Sequence, residues 1–79
     1  MTQTLTRKNP ELGFDVEFRI NDVAKTVLVI FRKGLAFESY IIEKGIAKLL
    51  EFSNIAFNPS VNRHIDRMIP AYVRQFSKG

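Results

Sequence analysis

Phe14-Asp15-Val16-Glu17-Phe18-Arg19-Ile20-Asn21 alternates strictly between apolar and polar residues. Successive side chains of a strand point to opposite faces, so this is the pattern of a strand with one face buried and the other wet. Asn21 and Asp22 tolerate turn conformations and are expected to reverse the chain. The next stretch, Thr26-Val27-Leu28-Val29-Ile30-Phe31, is apolar at consecutive positions and rich in β-branched residues. A central strand covered on both faces has that composition. Arg32-Lys33-Gly34 then reads as a three-residue hairpin loop, with Gly34 supplying a left-handed conformation. Across that loop Val27, Val29 and Phe31 share a face with Leu35, Phe37 and Ile41, and across a four-residue first turn they share it with Phe14, Val16, Phe18 and Ile20. The opposite face is mixed. Leu28, Ile30, Ala36, Tyr40 and Ile42 stand there among Asp15, Glu17, Arg19, Thr26 and Glu38.

Beyond Glu43-Lys44-Gly45 the period changes. At roughly 100° per residue, Ile46, Leu49, Leu50, Ala56 and Phe57 fall on one side and Lys48, Glu51 and Asn54 on the other, which predicts a helix over about 46–56. Asn58-Pro59 has the form of an N-cap followed by proline at the first helical position. The helix it opens carries a continuous apolar stripe of Val61, Ile65, Met68, Ile69, Tyr72, Val73 and Phe76. Pro70 projects onto the polar side, where its missing N–H is expected to kink or split the helix. Residues 1–12 read as a polar tail with a turn at Asn9-Pro10, and residues 13–79 as a single α+β domain. The expected architecture is βββαα: two layers, a three-stranded antiparallel meander with two C-terminal helices packed on its apolar face. Its core is expected to join Phe14, Val16, Phe18, Val27, Val29, Phe31, Leu35 and Phe37 to Ile46, Leu50, Ile65, Met68, Ile69, Tyr72 and Phe76.

With 79 residues the chain is near the size at which one core barely offsets chain entropy. The absence of cysteine excludes disulfides, and a single histidine argues against a structural zinc site. What remains is a good core or self-association. The composition, 46% apolar with seven Phe, suits a real core and not a disordered chain. The longest unbroken apolar run, Val27 to Phe31, falls far short of the ~20 residues that span a bilayer, so no membrane role is expected. The first residues lack the apolar stretch of a secretory signal, which makes the cytoplasm the expected compartment.

Catalysis has little support. His64 has no cysteine to pair with, and Asp66, two positions on, does not face it on a helix. Glycines at 13, 34, 45 and 79 match no phosphate-binding fingerprint, and the spacing of Glu38 and Glu43 specifies no geometry. No enzyme, cofactor or metal site is expected. The net charge of +4 is uneven: residues 52–79 hold Arg63, Arg67, Arg74 and Lys78 against Asp66 alone. By helical rotation these four cations lie within about 60° of one another. They are candidates for contact with nucleic acid or an acidic partner, although a solvated helix face has the same pattern. On the mixed sheet face, Leu28, Ile30, Tyr40 and Ile42 are the candidate protein interface, unless Lys and Arg stems or the N-terminal tail cover them. The leading expectation is a non-enzymatic protein-binding or adaptor domain, a homo-oligomer, of the kind common among accessory proteins of mobile elements and phages. The alternative is a nucleic-acid-binding module using the basic face of the last helix.

Overall fold

A computed structural model describes residues 2–9 and 13–76. Five strands follow one another along the chain: β1 (Thr2–Asn9), β2 (Phe14–Asn21), β3 (Thr26–Lys33), β4 (Ala36–Glu43) and β5 (Ile46–Phe52). One helix, α1 (Pro59–Phe76), completes the order. The strands form one antiparallel sheet in the order β1-β2-β3-β4-β5, and α1 packs on one face of it. The domain is α+β, but the expected three-stranded meander with two helices is wrong. Thr2–Asn9, within the segment expected to be a tail, pairs along β2, and Ile46–Phe52 is a strand rather than the first helix.

Of the three turns that follow β2, the last two account for the differences at β4 and β5. Strand β2 meets β3 as expected, with Val16 opposite Phe31 and Phe18 opposite Val29. Asn21 caps the connection, its Oδ1 accepting from the backbone N–H groups of Val23 and Ala24 at 3.1 and 2.9 Å. The β3–β4 loop is one residue shorter than expected. Lys33 pairs with Ala36, leaving Gly34-Leu35 as a two-residue turn with Gly34 at φ 62°. Glycine at the first central position is the signature of the type II′ turn, whose twist matches that of the flanking strands. A one-residue slip reverses every side chain of a strand. Ala36, Glu38, Tyr40 and Ile42 therefore join Val27, Val29 and Phe31 beneath α1, while Phe37 and Ile41 lie on the outer face.

At the third turn Lys44 and Gly45 both have positive φ, 54° and 76°, as a type I′ hairpin requires. That turn sends the chain back along β4 where the sequence suggests a helix start. A bulge explains the misleading period: Ser39 pairs with Glu51 but Tyr40 pairs with Leu49, so Leu50 is an extra residue. The adjacent pair Leu49-Leu50, three and four places after Ile46, imitates one helical turn.

The last helix follows its sequence signals. Asn58 Oδ1 accepts from the Val61 N–H at 2.9 Å, and the Asn58 carbonyl accepts from Asn62 at 3.0 Å. Pro59 occupies the first helical position, and α1 continues through the exposed Pro70 to Phe76. Its apolar stripe places Val61, Ile65 and Tyr72 in the core with Phe14, Val16, Phe18, Val27, Val29, Phe31, Ala36, Ile42 and Phe57. Aromatic rings join the two layers: Tyr72 meets Phe18 edge-on at 4.9 Å and lies 6.3 Å from Phe31. Of the expected core, Leu35, Ile46 and Leu50 are exposed and Phe37 is half-buried on the outer face.

Tyr40, moved beneath α1 by the short turn, contacts Phe31 edge-on at 6.0 Å and donates from its hydroxyl to Glu38 Oε2 at 2.9 Å. Burial, the hydrogen bond to Glu38 and the negative charges of Glu38 and Asp66 hold its phenol well above the usual tyrosine range.

The turn assignment makes contrasting predictions for two neighbours. Phe31→Ala, at a side chain with no exposure, is expected to cost about 3–5 kcal/mol in denaturant melts. Leu35→Ala, at a side chain 81% exposed, is expected to stay within about 0.5 kcal/mol of the parent. A large loss at Leu35 would restore the longer loop. Tyr40 supplies a pH prediction. Its pKa is raised on folding, so the folded state holds the proton more tightly, and stability present below the unfolded pKa of about 10 declines as pH rises above it. Tyr40→Phe is expected to flatten that decline in melts recorded between pH 9 and 11; an unchanged slope would contradict the assignment.

Candidate functional site

The proposed apolar interface does not assemble as one surface. Leu28 and Ile30 point to the outer face, whereas Tyr40 and Ile42 point toward α1. Nor is the outer face open at its centre. Ile30 is only 6% exposed and sits between Glu17 on β2 and Ser39 on β4, with Leu28 half-buried beside it. Glu17 forms an ion pair with Arg19 and a longer one, 3.9 Å, with Arg32. The centre of the outer face is thus already covered within one chain.

Exposed apolar surface is concentrated elsewhere. Ile46, Leu49, Leu50 and Phe52 on β5, and Ile55 just after it, are all about half exposed or more, with Phe52 at 65%. Strand β5 is the last in the sheet, paired to β4 on one side only. Side chains on both of its faces are apolar: Leu49 and Phe52 stand opposite Tyr40 and Glu38 on the helix side, and Ile46 stands opposite Glu43 on the outer side. The helical period of the sequence puts Ile46, Leu49 and Leu50 on the apolar side of a helix and gives no place to Phe52 or Ile55. Lys44-Gly45, read as a type I′ turn, is the signal that could have identified them as a strand edge.

The hydrogen-bonding direction of the β5 main chain follows from its turn and its contacts. The residues flanking a two-residue hairpin exchange hydrogen bonds, and direction then alternates along the strand. Ile46 and Lys48 accordingly turn their main-chain groups toward β4. Past the bulge, the Glu51 N–H donates to Ser39 Oγ at 3.2 Å and the Ser53 N–H to the Phe37 carbonyl at 2.9 Å, so these also turn toward β4. The main chain of Ala47, Leu49 and Phe52 faces the open edge.

Two other regions are weaker candidates. On α1, Arg63, Arg67 and Arg74 are exposed on the side away from the sheet, while Lys78 lies outside the described residues. Ser60, Arg63, His64 and Arg67 line a shallow recess of about 300 Å³, in which the half-buried His64 ring rests edge-on against Phe14 at 5.5 Å. A larger cleft, about 840 Å³, lies at the turn end of the sheet beside Phe76. Asp22, Lys25, Glu43 and Lys44 line it with both signs of charge, so it favours neither anions nor cations. Among the described residues, no three His, Cys, Asp or Glu side chains gather as a metal site, and no helix is long and apolar enough to cross a membrane.

No family model matches the chain, and neither a curated protein nor a solved structure matches it.

Proposed function

We propose that the chain is a non-enzymatic protein-binding domain that associates with itself, and that β5 is the surface it uses. The observation that carries this reading is the clustering of Ile46, Leu49, Leu50, Phe52 and Ile55 at one unpaired strand edge. Edge strands left long and apolar recruit another chain, and a stable monomer blunts them with charge, proline or a bulge. Here a bulge and two charged side chains, Lys48 and Glu51, still leave four large apolar side chains of the strand exposed, Ile46, Leu49, Leu50 and Phe52, and no proline blocks the edge. A small domain also gains most from burying such surface against a partner.

Sedimentation equilibrium of the purified chain is expected to show a concentration-dependent dimer. Leu49→Lys, at an exposed position, is expected to leave the melting curve of the monomer nearly unchanged and to weaken association at least about tenfold. A chain that stays monomeric to millimolar concentration contradicts the reading.

A second reading rests on the exposed arginines of α1. If Arg63, Arg67 and Arg74 contact phosphates, duplex DNA binding falls steeply with salt, and each Arg→Ala change lowers the log–log slope by about one. Self-association through β5 predicts that these three changes leave the dimer intact. Fluorescence anisotropy across a salt series, run beside sedimentation, distinguishes the two.

A further inference from the structure

We infer that a second copy of this chain adds its β5 to the β5 edge in antiparallel register, with Lys48 of each copy facing Glu51 of the other. The inference rests on the self-association proposed above and specifies its geometry. Two-fold pairing of identical edges closes on itself as a dimer, whereas joining β5 of one copy to β1 of the next would leave an edge open for further growth.

Register follows from three constraints, each fixed by β5 itself. The first is facing. Ala47, Leu49 and Phe52 are on the helix side, and Ile46, Lys48 and Glu51 are on the outer side, with the bulge reversing the parity between Leu49 and Glu51. Directly opposed residues of an antiparallel pair share a face, so a residue before the bulge has to meet one after it at an odd combined count. The second is hydrogen bonding. Ala47 and Phe52 both turn their main chain to the open edge, and Lys48 and Glu51 both turn theirs to β4. Setting Ala47 against Phe52 of the second copy, and Lys48 against Glu51, pairs free groups with free groups and spent groups with spent groups. That is the alternation an antiparallel ladder requires.

Charge is the third constraint and selects among the remaining registers. Sliding the second copy by two residues one way sets Glu51 against Ile46 and brings Lys48 opposite Leu49, which is on the other face; sliding it the other way sets Glu51 against Leu50. Only the register centred between Leu49 and Leu50 opposes the two charges of the strand, and symmetry repeats the pair on both sides of the axis. Leu49 and Leu50 of both copies then meet at the centre, Ala47 lies beside the large Phe52 ring, and the two sheets run together as one of ten strands. Extension of a sheet across an exposed edge is an established mode of recognition.

A charge-swap cycle tests the register on the full chain. Lys48→Glu and Glu51→Lys each set like charges opposite one another twice, and each is expected to raise the dimer dissociation constant about tenfold or more. The double swap, Lys48→Glu with Glu51→Lys, is expected to return it close to the parent value. Both side chains are exposed in a single chain, and far-UV circular dichroism of each variant checks that the fold is retained. A second measurement does not depend on electrostatics, since the chain has no cysteine of its own. On mild oxidation, a mixture of Lys48→Cys and Glu51→Cys chains is expected to form a mixed disulfide dimer far faster than either variant alone. A parent dimer that ignores the single swaps, or a double swap weaker than either single, overturns this register while self-association stands. Growth beyond the dimer overturns the closed two-fold pairing. A parent chain that never associates overturns both this inference and the reading beneath it.

Discussion

The two-residue turn at Gly34-Leu35 fixes which side of β4 meets the helix, and most of the remaining structure depends on it. Gly34 at φ 62° closes the loop with Lys33 opposite Ala36, and that pairing puts Tyr40 and Ile42 under α1. Had the loop been one residue longer, Leu35, Phe37 and Ile41 would have filled the core in their place. With Tyr40 inside, its ring packs against Phe31, its hydroxyl finds Glu38, and the aromatic layer continues through Phe31 to Tyr72 on the helix. The strand period of two makes this an all-or-none choice.

Strand β4 passes the same constraint to the far edge. Because Ser39 faces outward, its hydroxyl reaches the main chain of Glu51 and holds β5 at the point where Leu50 bulges. The bulge leaves Leu49 and Leu50 adjacent and exposed, and turns Lys48 and Glu51 to one face. One helix of 18 residues covers one face of a five-stranded sheet but does not reach around its edge. Ile46, Leu49, Leu50 and Phe52 of β5 therefore remain exposed in one chain.

Much of this was legible in the sequence where a local pattern had one physical reading. The alternation from Phe14 to Ile20 fixed β2, the β-branched run from Thr26 to Phe31 fixed β3, and Asn58-Pro59 marked the start of α1. The rest was obscured where two readings fit the same residues. Gly34 serves a three-residue loop as well as a two-residue one, and the choice reverses β4. Ile46, Leu49 and Leu50 satisfy a helical period because a bulge adds one residue to a strand. Lys44-Gly45 held the resolving information, since two consecutive left-handed residues make a hairpin and not a helix start. Nothing in the residues before Pro10 alternates strongly enough to declare β1, which forms through its pairing with β2. The same turn divides the candidate interface: Leu28 and Ile30 lie on the outer face, while Tyr40 and Ile42 follow β4 to the other side.

The central claim is that the open side of β5 is where one copy meets another, and amide hydrogen exchange resolved along that strand addresses it directly. In dilute solution the N–H groups of Ala47, Leu49 and Phe52 face solvent and should exchange fast, while those of Lys48, Glu51 and Ser53 are held toward β4. As concentration rises through the dimer transition, protection should appear at Ala47, Leu49 and Phe52 and change little at the other three. Fast exchange at Ala47, Leu49 and Phe52 in a chain that is fully dimeric would contradict the account, because the dimer would then be built on another surface.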